Sequence, residues 1–195
     1  INGGHSLALD QPMVAVSIEG VCSNAVTKDG AQIGDEVWLT GPLGSGILFA
    51  ALSRGEPIGK LIDHWIVDAL KCLLEASQAA SKHQVSAMTD VTGFGLAGHL
   101  KEMLNVSNVS FEWAESIESF TGVDRLIEKD IRSSAHHDNE LYAGRIGIGA
   151  PSPVVFDPQT CGPLMIAAPS QIADRVVNDW KKLGLRPQYI GRVAT

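Results

Sequence analysis

No apolar run in this chain of 195 residues reaches the ~18 that a membrane-spanning helix needs. No charged start followed by an apolar core marks a signal peptide. Cysteine is scarce: Cys22, Cys72 and Cys161 form an odd set at wide spacing. That excludes a disulfide framework and gives no zinc-ligand pattern, and it points to a reducing, cytoplasmic compartment. Basic stripes are missing as well. With a net charge of −7, nucleic acid is not an expected partner, and neither is a membrane. An acidic domain that handles phosphate needs a metal or a basic partner surface to offset repulsion. There is no internal repeat and no low-complexity tract. The glycine-rich turn Gly41-Pro42-Leu43-Gly44-Ser45-Gly46 invites comparison with a phosphate loop but lacks the Gly-Lys-Ser/Thr ending. It is better read as a structural turn with a helix cap.

What is present is ordinary for a water-exposed fold: 45% hydrophobic and 19% charged residues, in a length that supports one domain with a proper core. The first residue is Ile1, not Met, which reads as a piece of a longer chain. Residues 1–12 read as an arm or linker from a missing N-terminal domain, and 13–195 as a single domain. Period-2 alternation or short apolar runs predict strands over 13–22, 36–40, 85–88, 109–113, 164–168 and 189–193. Helical spacing predicts helices from the Gly41–Gly46 turn to about Arg54, and over 60–82, 95–104, 122–129 and 171–183. The longest, 60–82, carries Leu61, Ile62, Trp65, Ile66, Ala69, Leu70, Leu73 and Leu74 on one face, which is read as core; His64 is read as a surface residue. Residues 130–149 are expected to form a long loop. Interleaved strands and helices of these lengths imply an α+β or α/β layered domain, a mixed β-sheet packed by helices.

One stretch organises the rest: Ala87-Met88-Thr89-Asp90-Val91-Thr92-Gly93-Phe94-Gly95-Leu96-Ala97-Gly98-His99-Leu100. A strand gives way to a helix here with an acidic residue at the junction, the usual place for a ligand in an α/β layer. Asp90 is a hard oxygen donor of the kind Mg²⁺ accepts. Thr92 is placed to cap the following helix, and Gly93 and Gly95 allow close approach of backbone and ligand. The helix start offers free N–H groups and a positive dipole end to a phosphate. Together these can hold a nucleoside triphosphate. The plainer reading is that Asp90 is a turn residue and the glycines serve only the turn.

The string Thr89-Asp90-Val91-Thr92-Gly93-Phe94-Gly95-Leu96-Ala97-Gly98-His99 resembles the central motif of the selenophosphate synthetase (selenide, water dikinase) family. Gly3-Gly4-His5-Ser6 and Asp157-Pro158-Gln159-Thr160-Cys161-Gly162 resemble the same family, in the same order along nearly the whole chain. Families that share the fold carry different strings at the central position; they include aminoimidazole ribonucleotide synthetase, the hydrogenase maturation factor and thiamine-phosphate kinase. The resemblance implies a C-terminal domain with the fold of the aminoimidazole ribonucleotide synthetase C-terminal domain. The implied reaction turns selenide, ATP and water into selenophosphate, AMP and phosphate. Asp90 would bind Mg²⁺, and Gly3, Gly4 and His5 would contribute to a nucleotide site, that of the partner subunit in a homodimer. The family's reactive Cys or selenocysteine, its Lys and its further metal-binding Asp residues belong to an N-terminal domain. No catalytic residue is therefore assigned within this chain, and the fragment alone is expected to be inactive. The alternative is a non-catalytic nucleotide-binding or interaction module of a larger fusion protein.

Three departures from the family pattern stand out. Cys161 replaces Ser and is read as a packed turn residue, with no base evident beside it. Pro163 replaces Gly and removes a backbone donor. In the His136-His137-Asp138-Asn139 segment only Asn139 is retained from an Arg-Asn ending; adjacent histidines point apart and make a weak metal pair.

Overall fold

The computed structural model describes residues 17, 19–22, 25–144, 146 and 152–195. The arm with Gly3, Gly4 and His5 lies outside the described residues, as does half of the strand expected over 13–22; its described residues, 17 and 19–22, are not in a strand. Five strands form one sheet: β1 (Glu36–Leu39), β2 (Ala87–Asp90), β3 (Ser110–Trp113), β4 (Leu164–Ala168) and β5 (Gln188–Ala194), in the order β2-β4-β1-β5-β3. Each of the four pairings is antiparallel. Parallel pairing is confined, among the described residues, to the isolated bridge between Leu43 and Ser119. The helices are α1 (Ser45–Ser53), α2 (Gly59–Ala69), α3 (Leu74–Lys82), α4 (Gly95–Ser107), α5 (Val123–Glu128), α6 (His136–Ala143) and α7 (Ser170–Lys182), with a 3₁₀ turn over Pro153–Phe156. The α+β class expected from the sequence is what forms, with an antiparallel sheet where a mixed one was expected. No helix among the described residues is long and apolar enough to cross a membrane.

β4 shows why the sheet has helices on both faces. Its five residues, Leu-Met-Ile-Ala-Ala, are all buried. Successive side chains in a strand point to opposite faces. Met165 and Ala167 accordingly join one core with Leu48, Leu96, Leu100 and Phe111. Leu164, Ile166 and Ala168 join a second core around Trp180, Ala76 and Ala80. A strand buried on two faces reads as a continuous apolar run, as this one does. In β5 a register shift against β1 falls opposite Val37 and Trp38, leaving Ile190 unpaired between Tyr189 and Gly191. That extra residue flips the alternation, so Ile190 and Val193, three apart, both reach the first core.

Two expectations are corrected. The helix expected over 60–82 is two helices, α2 and α3, with a turn at Leu70–Leu73. Its apolar stripe serves two cores: Leu61, Ile62 and Trp65 pack on the first, and Leu73 and Ala76 on the second. The indole of Trp180 donates to the Ala76 carbonyl at 3.0 Å and draws α3 onto α7. A straight rod cannot follow the chain from one sheet face to the other, so it breaks. Ile66, Leu70 and Leu74, read as core, are exposed. The loop expected over 130–149 contains α6. This helix lacks an apolar stripe strong enough to read from sequence; Asn139 and Ala143 are its buried residues.

Candidate active site

The C-terminal ends of β1 and β2 and the N-terminal end of β4 lie together at one end of the sheet, because antiparallel pairing sets Leu39 opposite Met165 and Asp90 opposite Leu164. Three loops meet there: Thr40–Gly44 before α1, Val91–Phe94 before α4, and Asp157–Pro163 before β4. These contain the Gly41–Gly46 turn, the central stretch and the third motif-like segment, which sequence distance alone does not bring together.

The loops are locked by side chains. The Gln159 amide oxygen accepts from the amides of Gly44 (3.1 Å) and Ser45 (3.4 Å) and from the Ser45 hydroxyl (3.3 Å). Its amide nitrogen donates to the Asp157 carbonyl (2.7 Å) and to Asp157 Oδ2 (3.1 Å). Asp157 Oδ2 also accepts from the Gly46 amide at 2.9 Å. Thr160 N donates to Ser45 Oγ at 2.8 Å. The free N–H groups at the start of α1 are thus filled by this protein's own side chains, which makes the Gly41–Gly46 turn a capped helix start and not a phosphate loop. Asp157 is fully buried, and its Oδ1 has no hydrogen-bond partner among the described residues. Burial pushes its carboxyl up to about 7, against the pull of the Ile47 and Gly46 amides.

The central stretch is held from the other side. The Asn139 side chain donates to the carbonyls of Gly93 (2.8 Å) and Phe156 (3.0 Å), tying the Val91–Phe94 loop to the segment before Asp157. The Thr92 carbonyl accepts from Gly95 N at 3.0 Å and Gln159 N at 2.9 Å. The expected cap by the Thr92 side chain does not form: Phe94 takes the N-cap position without a side-chain bond. Thr92 Oγ1 instead shares a hydrogen bond of 3.1 Å with His99 Nε2, one helical turn inside α4. His99 is buried, with Nδ1 3.6 Å from the Glu102 carboxylate. Burial holds its imidazole below the usual histidine range, against the pull of Glu102 and Asp90. Gly95 has a positive φ of 69°, and a Cβ there would meet the Val155 carbonyl at 2.8 Å. Its missing side chain therefore serves packing against the 3₁₀ turn. Gly93 is the one with open space before it.

Asp90 is exposed at the end of β2, and its carboxylate accepts no hydrogen bond among the described residues. No group of three His, Cys, Asp or Glu residues among the described residues is arranged to hold a metal ion. Asp90 thus presents a carboxylate to solvent with no protein partner among the described residues. Cys161, read from sequence as packed, is exposed and carries a positive φ of 50°. Its neighbour Gly162 is the residue wedged inward, under the Val91 carbonyl. A cavity of about 230 Å³ opens beside this loop, with Thr40, Asp68, Lys71, Cys161, Pro163 and Arg186 around it. His136 turns its ring edge-on to Phe156 while His137 is exposed, so the adjacent rings diverge.

Sequence reasoning did not assign Gln159, Asp157, Asn139 or His99 a structural role. One signal existed for the first two. The cap position of α1 is Gly44, not Ser, Thr, Asp or Asn, so its N–H groups had to be met from elsewhere.

A Campylobacter jejuni selenide, water dikinase is 36% identical over 170 residues, 85% of this chain and 50% of that protein. The chain spans about half the length of the curated relatives it matches. Among solved structures, the hydrogenase maturation protein HypE of E. coli superposes with a TM-score of 0.63 at 18% identity, over 87% of this chain and 46% of that one. A HypE structure in complex with ATP superposes at 0.56, with 18% identity, over 90% of this chain and 47% of that one. Residues 32–195 match the family model described as AIR synthase related protein, C-terminal domain. With the sheet, the joined loops and this match in hand, the chain belongs to the family of AIR synthase related protein C-terminal domains.

Proposed function

We propose that this chain is the C-terminal part of a selenide, water dikinase, in which Asp90 is one ligand of a Mg²⁺ that meets the phosphates of ATP. The observation that carries this reading is the placement of Asp90. Its carboxylate is exposed and unbonded at the sheet end where three loops join, inside a stretch that resembles the central motif of selenophosphate synthetases. Mg²⁺ suits a lone carboxylate because it keeps several waters and takes few protein ligands. The absence of a three-ligand group among the described residues fits a site completed by other parts of a longer protein. When bound, the ion offsets charge that develops on a transferred phosphoryl group. The chain's own residues supply position: Asn139 and the Gln159 amide brace the Val91–Phe94 loop, and His99 holds Thr92.

On this reading residues 1–12 are an arm, and Gly3, Gly4 and His5 close over a nucleotide in the site of a second subunit. Residues 13–195 form the domain. The full-length protein is a cytoplasmic homodimer that consumes selenide, ATP and water, with the bond-making groups in its N-terminal domain. The test is titration of Mg²⁺-ATP into the full-length protein and its Asp90→Asn variant. Metal affinity should fall by about tenfold or more while the melting temperature stays the same. Unchanged affinity removes Asp90 from the role. The isolated chain should show no ATP hydrolysis with Mg²⁺.

A further inference from the structure

We propose that the cleft between α1 and the segment joining α5 to α6 is a phosphate-binding site, held by the guanidinium groups of Arg54 and Arg132 and the hydroxyls of Ser133 and Thr160. The cleft has a volume of about 600 Å³, and Gly46 and Pro158 are among the residues that line it. In a chain of net charge −7, two arginines, three serines and a threonine line it, with no carboxylate among the described lining residues.

Neither arginine has a close carboxylate partner among the described residues, although Arg132 is near enough to the buried Asp157 to pull its carboxyl down. Arg54 Nη2 donates to the Arg132 carbonyl at 3.1 Å. Arg132 Nη1 donates to the carbonyls of Ile127 and Ile131, each at 3.0 Å. Backbone carbonyls therefore set the two forks while leaving their charge. Arg54 has no carboxylate within ion-pair distance among the described residues. Arg132 has Asp130 at 3.8 Å, a loose contact to a fully solvated side chain, which is weak in water. The Ser133 hydroxyl oxygen is out of solvent with no hydrogen-bond partner among the described residues. A buried hydroxyl left unmet costs stability, and an anion oxygen entering the cleft would meet it. Guanidinium groups bind phosphate by paired N–H donors as well as by charge.

The ligand is a phosphate group, free or as the monoester of a nucleotide. Asp90 does not line the cleft, so this inference goes beyond the Mg²⁺-ATP reading and does not depend on it. The test is calorimetric titration of the 195-residue chain with inorganic phosphate and with AMP, in EDTA at constant ionic strength. One phosphate should bind per chain. Arg54→Gln should weaken binding by about tenfold or more, and Arg132→Lys should weaken it despite keeping the charge. Asp90→Asn should leave it unchanged. Tighter binding of AMP assigns the cleft to a nucleotide, and equal binding to the free anion; either supports the site. Binding that is undetectable, insensitive to Arg54→Gln, or lost in Asp90→Asn overturns it. Arg54 lies at the exposed end of α1, so its variant keeps the test usable even where Arg132→Lys loosens the turn. With no metal in the assay, failure here leaves the Asp90 reading untouched, and the converse holds too.

Discussion

Gln159 reaches across 115 residues of sequence to accept a hydrogen bond from the amide of Gly44 at 3.1 Å. The same oxygen serves Ser45 N and Ser45 Oγ, and the whole arrangement is buried. Gln159→Ala strands those donors and one face of Asp157. The expected loss of stability is about 2–3 kcal/mol, since an unmet buried donor forfeits its desolvation energy. Chemical denaturation of the two proteins measures it.

Asp157 makes stability depend on pH. Its carboxyl is raised from 3.8 to about 7 by burial, so the folded state holds the proton more tightly than the unfolded state. The contribution is complete below the unfolded value near 3.8, declines as pH rises, and is gone above about 7. Its size is of the order of 4 kcal/mol. Asp157→Asn keeps an oxygen for Gly46 and Gln159 and removes the titration. Urea denaturation across this window should show wild-type stability falling relative to the variant as pH increases. Parallel curves would place the ionisable group elsewhere.

Asn139 donates to two carbonyls that belong to different loops. Asn139→Asp turns the donor into an acceptor facing both oxygens. A loss of about 2–4 kcal/mol is expected, from an uncompensated buried charge and two orphaned carbonyls. Thermal melting reads the loss. Faster cleavage of α6 by protease would show where the molecule loosens first.

Gly162 and Gly93 should respond in opposite ways to the same change. A Cβ on Gly162 would lie 1.9 Å from the Val91 carbonyl oxygen, which is backbone and cannot swing aside. Gly162→Ala should cost about 3 kcal/mol or more as the loop is forced away from β2. A Cβ on Gly93 meets nothing within 4 Å, so Gly93→Ala should change stability by less than about 0.5 kcal/mol. If Gly93→Ala nonetheless impairs Mg²⁺-ATP binding in the full-length protein, the open space before it belongs to a ligand.

The elements that could be read from the sequence are those whose burial pattern repeats along the chain. β4 is legible as an unbroken apolar run and α7 as an amphipathic helix, because each packs one regular face or both. The central stretch is legible because a strand end, two glycines and a helix start follow one another locally. Other features lie beyond that kind of reading. The stripe over 60–82 is continuous in sequence, yet it divides between two cores on opposite sheet faces, and the break at Leu70–Leu73 goes with α3 being held to α7 through Trp180. α6 has little apolar periodicity and is fastened by one side chain, Asn139, to carbonyls far along the chain. The cap of α1 comes from Asp157 and Gln159, and no local residue announces it. Periodicity and turn chemistry act between near neighbours, so they survive in the sequence. The joining of three loops at one end of the sheet depends on antiparallel register and on hydrogen bonds spanning a hundred residues or so, and these exist only once the chain has folded.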